Sequence, residues 1–249
     1  PTHATHLSRQ AVADGCDVIV AMGGDGTMNE VAQAVAHSDA VFGLIPGGSG
    51  NGLGRHLGLQ GSIPQALTTL INGRIRSIDT GEANRQPFFN IMGIGYDAEL
   101  SVMFNRLTRR GLWPYLREGL KLWRSYRPAE YTVHGPDGTL TIEALMVAVA
   151  NSDQYGYNCF ISPGAEVDDS LLNLVLVKPV SALQFVPLAY RMRCGTADKS
   201  PHVKLLSGDR FLIETNVSSP IHTDGEVHEP TSRVEVGVRP QSLRMLVPA

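Results

Sequence analysis

Glycine placement constrains this chain more than any other feature. Of its 26 glycines, eleven fall between Gly23 and Gly61. They gather behind two short apolar runs, Asp17–Met22 and Ala40–Ile45, both rich in Val and Ile. Such runs read as buried parallel strands, and glycine frees the backbone for φ > 0 and close approach to a ligand. Between them Met28, Val31, Ala32 and Val35 recur at helical spacing. Before them, Leu7–Ala13 reads as a helix. After them, Ser62 as N-cap and Pro64 in the first turn open a helix through Leu70. Strand, glycine loop, helix, repeated, predicts a parallel α/β layer whose two loops leave the same sheet edge, where ligands bind.

Beyond Gly73 the pattern changes to short strand-like runs: 88–92, 130–134, 140–150, 172–177, 203–206, 211–215, 221–223 and 233–238. His134-Gly-Pro-Asp-Gly138 marks a hairpin, and helical stretches cover about 97–126 and 181–192. This spacing predicts an antiparallel sandwich or barrel. The expected fold is therefore α/β plus β. Residues 1–78, to which 240–249 return, are expected to form the α/β domain, and 79–239 the β-rich domain.

Two totals narrow the function. A net charge of −3 and pI near 6.3 give no polybasic footprint for nucleic acid. Three scattered cysteines without a CxxC argue against a disulfide framework or zinc site and fit a reducing, cytoplasmic setting. No run matches a signal peptide or membrane span.

Three motifs carry chemistry. Gly23-Gly-Asp-Gly-Thr27 opens a helix whose free N–H groups, around Thr27 to Asn29, favour phosphate. Asp25 would repel that phosphate unless a divalent cation or a proton transfer is involved. Pro46-Gly-Gly-Ser-Gly-Asn51 follows the second strand. Neither loop has the Walker lysine or a clean GxGxxG. Far downstream, Asp224-Gly-Glu226 reads as a tight turn projecting Glu226. His222 lies close by in sequence, while His3 and His56 suggest nothing.

In this order the motifs resemble the diacylglycerol kinase catalytic-domain family, which includes bacterial diacylglycerol kinases and sphingosine and ceramide kinases. Phe89–Ala98, Asn151–Gly156, Phe160–Ala165 and Asp168-Asp169 add to the likeness, which spans about 3–247. The resemblance implies an ATP-dependent lipid kinase using Mg²⁺, acting on diacylglycerol or a related hydroxyl lipid. Gly23, Gly24, Asp25, Gly26, Thr27, Asn29 and Glu30 of the first loop, with Gly48, Ser49 and Asn51 of the second, would hold ATP. Glu226 would be the general base, with Asp25 as partner on the catalytic Mg²⁺. Asp169, with the carbonyls of Glu166 and Leu171, would hold a structural Mg²⁺.

The chain departs from the family in three places. Gly52 stands where many bacterial members carry Asp. Ser170 replaces a usual glycine. The family's opening strand, ending Asn-Pro-x-Ser-Gly, does not precede Pro1, which implies a protein roughly 40–50 residues longer, since a β-α-β unit needs ~30. A sphingoid-base kinase, an NAD kinase sharing Gly-Gly-Asp-Gly, and a non-catalytic lipid- or nucleotide-binding regulator remain open, as does oligomeric state, homodimer included.

Residues 106–127 hold seven basic side chains against Glu118, leaving −9 on the remainder. Aromatics interleave, and both tryptophans are here. This reads as an amphipathic basic segment for the inner face of an anionic membrane, or as a helix packing its aromatics on the sandwich.

Overall fold

The computed structural model describes residues 3–48, 50–59, 62–105 and 112–249, without the side chains of residues 104 and 112–116. Ser49 and the first part of the basic segment therefore lie outside the described residues.

The first layer follows the glycine pattern. Helix α1 (His3–Ala13) packs on α2 (Asp25–Val35). Strands β1 (Val18–Gly23) and β2 (Val41–Pro46) pair in parallel. The helical stripe of α2 is buried at Met28, Val31, Ala32 and Val35, against Ile19, Phe42 and Leu44 of the strands. A short helix α3 (Gly52–His56) follows the second loop. Helix α4 (Ile63–Asn72) begins with a capping box between Ser62 and Gln65. Its start is legible in the sequence because the cap chemistry is local.

The second half is β-rich: β3 (Arg74–Ala83), β4 (Gln86–Phe88), β5 (Ile91–Gly95), β6 (Ala129–Gly135), β7 (Gly138–Ala144), β8 (Met146–Ala150), β9 (Leu172–Val177), β10 (Val203–Gly208), β11 (Arg210–Thr223) and β12 (Glu226–Val247). Helices α5 (Tyr96–Asn105), α6 (Leu112–Ser125) and α7 (Ala182–Arg193) interrupt it. The main path of hydrogen-bonded strands runs β1-β2-β12-β11-β5-β8-β9-β10, with β3, β4, β6 and β7 branching from it. The antiparallel core is built by residues such as Met92, Val147, Leu174, Phe211 and Val234.

The long strand β12 ties the halves together. Its C-terminal part lies beside β2 through Met245 and Phe42, while its N-terminal part pairs with β11. A register shift between Arg239 and Leu243 in its pairing with β3 marks the passage.

Three expectations need correction. β1 is buried on one face only: Val18, Val20 and Met22 are 48%, 44% and 62% exposed. A run of β-branched residues does not reveal that its strand sits at the sheet edge. β3 gives no strand signal in the sequence, because Arg76, Ser77, Asp79 and Glu82 break the apolar pattern. Finally, runs separated in the sequence join into single bulged strands. Residues 211–215 and 221–223 are both β11, and its register with β12 shifts around Ser219.

Candidate active site

The two glycine loops meet back to back. β1 and β2 end side by side, and Gly47 N–H donates to the Gly23 carbonyl at 2.7 Å. A Cβ on Gly48 would stand 2.5 Å from Gly24 Cα, and one on Gly50 would stand 2.8 Å from Asp25 Oδ2. None of the described glycines from Gly23 to Gly54 has a positive φ. The loops require the smallness of glycine for close approach, and not its left-handed backbone.

Helix α2 begins at Asp25 with Gly24 as N-cap, and Met28 N–H already bonds to the Gly24 carbonyl at 3.0 Å. The free N–H groups are thus those of Asp25, Gly26 and Thr27, two residues earlier than the Thr27–Asn29 expected. Nothing lies within 4 Å of a Cβ built on Gly26, so this helix start faces open space. Thr27 is exposed and covers Gly23. An N-terminus of this kind favours an anion through its unpaired donors and the helix dipole.

Asp25 holds the second loop. Its Oδ2 accepts Asn51 N–H at 2.9 Å and its Oδ1 accepts Gly52 N–H at 3.0 Å. Asn51, itself left-handed at φ 49°, returns its side-chain amide to the Gly48 carbonyl at 2.8 Å. The far side of this loop abuts the second half, where Asn51 bridges to Gly156 and Gly52 lies against Asn90 and the carbonyls of Gln154 and Tyr155. The Asn151–Gly156 stretch therefore buttresses the second glycine loop.

Asp224-Gly225 forms the two-residue turn between β11 and β12, with φ 51° and 86°, the double left-handed turn that Asp-Gly favours. The Asp224 carboxylate accepts four donors: the N–H groups of Phe89, Asn90 and Ile91 at 2.8–2.9 Å and the Asn29 amide at 3.0 Å. Burial, opposed by those backbone donors and reinforced by nearby Asp25, pushes its pKa up to about 6. A second network steadies the turn. His222, 4% exposed, lies 3.2 Å from Asp97 Oδ2, which also accepts the Tyr155 hydroxyl at 2.8 Å. His222 Nδ1 accepts Gly225 N–H at 3.3 Å, which leaves its Nε2–H facing Asp97. The Asn105 amide reaches the Gly225 carbonyl at 3.2 Å. Glu226 emerges from this fixed turn exposed to solvent.

The first loop, the second loop and the Asp224–Glu226 turn thus converge. Asn29 joins them from α2: 3% exposed, it donates to Asp224 and accepts from Gln33, so its side chain is committed there rather than open to a phosphate. Glu30, Asp169 and Glu166 do not join them. Glu30 turns away to α1, accepting Ala4 N–H at 3.2 Å. Asp169 accepts Leu171 N–H at 2.9 Å within its own loop, and Glu166 faces Arg76 at 3.8 Å. Among the described residues no three His, Cys, Asp or Glu side chains cluster as a metal set. Ser170, at the usual glycine position, is left-handed at φ 63° and donates to buried Asp79 at 2.6 Å. The sequence signalled neither Asp79 nor the Tyr155–Asp97–His222 chain as a unit, since their partners lie 58 to 162 positions away.

A cavity of about 850 Å³ opens beside the turn, lined by Val227 and His228 of β12, Pro220 and Ile221 of β11, and Glu99 and Val102 of α5. Burial holds the His228 pKa below its ordinary value, partly offset by Glu226.

Residues 1–83 match the model of the diacylglycerol kinase catalytic domain. Residues 90–247 match that of the YegS C-terminal NAD kinase beta sandwich-like domain. The chain belongs to the diacylglycerol kinase family of lipid kinases. A diacylglycerol kinase of Bacillus subtilis is 30% identical over 228 residues, covering 90% of this chain and 75% of that protein. A Pseudomonas aeruginosa protein described as "Probable lipid kinase YegS-like" is 28% identical over 250 residues, 99% of this chain and 82% of its own. Among solved structures, a diacylglycerol kinase from Bacillus anthracis superposes with TM-score 0.74 at 19% identity, covering 99% of this chain and 81% of that one. An NAD kinase from Archaeoglobus fulgidus in complex with ATP superposes at 0.53 and 11% identity, over 92% and 77%. At these identities the structures establish the fold alone. In this lipid kinase the β-rich half is accordingly the NAD-kinase-like sandwich of the family.

Proposed function

We propose that the protein transfers the γ-phosphate of ATP to a hydroxyl of diacylglycerol or a related lipid. The observation that carries this reading is the convergence of the α2 N-terminus, which suits phosphate, with an exposed carboxylate, Glu226, on a turn anchored from four directions. ATP would lie with its phosphates on the N–H groups of Asp25, Gly26 and Thr27. Gly48, Ser49 and Asn51 would complete the second side.

Mg²⁺ takes oxygen ligands from substrate phosphates and one or two carboxylates. Asp25 fits that role: each of its oxygens accepts one N–H and keeps a lone pair. Its charge also helps to raise the Asp224 pKa, so a cation here would relieve repulsion. Asp25 is the residue that would hold the ion, which would neutralise charge on the β- and γ-oxygens. A second ion would rest on Asp169 and the carbonyls of Glu166 and Leu171; no step is assigned to it.

The acceptor hydroxyl would approach from the cavity beside Val227. Glu226 would take its proton as the oxygen attacks phosphorus and ADP leaves. Glu99 and Glu229 line that cavity, and two carboxylates favour a cationic head group, so a sphingoid base is the second reading. We further propose units 1–78 with 240–249 and 79–239, a cytoplasmic setting, and peripheral membrane contact through 106–127. No helix among the described residues is long and apolar enough to cross a membrane.

The test is Glu226→Gln assayed with labelled ATP against a panel of diacylglycerol, sphingoid base and NAD. The expected result is a roughly 10²–10⁴-fold lower kcat with unchanged ATP binding, the range for loss of a general base. Wild-type turnover by the folded variant refutes the base assignment, and NAD as the preferred acceptor refutes the lipid reading.

A further inference from the structure

Helix α7 presents its apolar residues to water. Leu183, Val186 and Tyr190 are 87%, 67% and 71% exposed. They recur at i, i+3 and i+7, one stripe of a helix. The opposite face is already satisfied, with Leu188 buried and Met192 packed on the core around Val180. Ser181 caps the helix through Gln184, so its exposed face belongs to a well-formed element rather than a frayed end. Leucine, valine and tyrosine at such exposure are costly in water unless something covers them.

The neighbouring helix supplies net positive charge, with Arg117, Lys121 and Arg124 against Glu118. Trp123 of α6 stacks at 5.3 Å on Phe185 of α7, joining the two helices. Next to that contact a cleft of about 330 Å³ is lined by Trp123, Arg124, Tyr126 and Arg127 together with Pro179 and Val180. Neither arginine has a carboxylate partner among the ion pairs of the described residues; Glu118 is taken by Lys121 and Arg117. Arg191 and Arg193 close the last turn of α7. An apolar stripe on α7 and, by the adjoining α6, a cleft bearing two arginines and two aromatic rings together complement one kind of surface. Aliphatic and tyrosine side chains enter the acyl boundary of a bilayer, while arginines meet anionic head groups.

We propose that α7 and the C-terminal part of α6 form a docking face for an anionic phospholipid bilayer. Leu183, Val186 and Tyr190 enter the interface, and the Arg124–Arg127 cleft receives a lipid phosphate. The sequence pointed to residues 106–127 alone; the structure shifts the apolar share of the contact to α7, which carried no such signal. Binding is independent of catalysis, so the proposal stands or falls apart from the kinase assignment.

Sedimentation with vesicles of phosphatidylcholine, with and without phosphatidylglycerol, tests it in the absence of ATP. The wild type is expected to co-sediment with the anionic vesicles and not with the neutral ones. Leu183→Gln/Val186→Gln/Tyr190→Ser is expected to lose binding by at least about tenfold per buried side chain. Arg124→Gln/Arg127→Gln is expected to weaken it roughly fivefold per charge and abolish the anionic preference. Both variants should keep wild-type melting and wild-type activity on a short-chain acceptor dispersed in detergent. Equal binding to neutral vesicles, or wild-type binding by the triple variant, overturns the proposal. So does light scattering showing a dimer that the triple variant dissociates, since a second copy would then cover the stripe.

Discussion

At the residue scale, Asp224 anchors the turn that carries Glu226. Three backbone N–H groups and the Asn29 amide hold its carboxylate, yet burial and the nearby Asp25 raise its pKa to about 6. An ordinary Asp titrates at about 3.9, so folding disfavours the ionised form relative to the unfolded chain. Linkage gives the sign: this group favours the fold fully below pH ~4, and the contribution is lost as pH rises through about 6. That difference in proton affinity between the folded and unfolded chain corresponds to on the order of 3 kcal/mol. Asp224→Asn removes the titration and sets an amide against donors, so it is less stable than wild type at every pH. The gap between them, read as the urea midpoint, should be wider at pH 5 than at pH 7. A gap independent of pH would mean that Asp224 keeps its normal affinity for protons. Asp168 works in the opposite sense, since the Arg76 guanidinium lowers its pKa and its contribution fades as pH falls. The comparison with Asp224→Asn cancels that background.

At the element scale, the glycine loops separate two demands that the sequence could not. Gly48 and Gly26 look alike in a motif, but only Gly48 faces another backbone. Gly48→Ala drives a Cβ into Gly24 Cα and should cost about 1–3 kcal/mol, with the melting temperature falling accordingly. Gly26→Ala meets nothing and lies within the first turn of α2, so it should leave stability unchanged or raise it by roughly 0.4–1 kcal/mol. Its methyl group would instead enter the open space proposed for the phosphates, so on that proposal KM for ATP should rise while melting does not. Unchanged KM in the Gly26 variant would remove the phosphate from this helix start. The order of strand, loop and helix was legible because cap residues and apolar spacing act within a few positions. The commitments of Asn29 and Glu30 were not, because their partners come from the Asp224 turn and from α1. The alternation of β3 was hidden for a related reason: Arg76 and Asp79 are there to meet loops that arrive much later in the chain.

At the scale of the whole molecule, the question is whether two halves with distinct cores unfold separately. Two family models meet between residues 83 and 90, which suggests two parts. The strands say otherwise, since β3 and β12 run side by side through both layers. Asp79 sits at this seam, fully buried, with Oδ1 taking Gln241 N–H at 2.7 Å and Oδ2 taking Ser170 N–H at 2.6 Å. Its carbonyl receives the Asn151 amide at 2.9 Å, and its N–H donates to the Val167 carbonyl at 2.6 Å. One residue thereby links the return strand, the Asp168–Ser170 loop and the Asn151 segment that backs the second glycine loop. A fold stitched in this way should unfold in one transition. Tryptophan fluorescence reports only the second half, where both tryptophans lie, while far-UV circular dichroism reports both halves. The two denaturation curves should coincide. Asp79→Ala leaves the part-buried N–H groups of Gln241 and Ser170 without their acceptor, at about 1 kcal/mol each. If the seam couples the halves, that loss shifts both curves together. If the halves are independent, the curves separate in the variant, with the fluorescence midpoint holding while part of the circular dichroism signal is lost earlier.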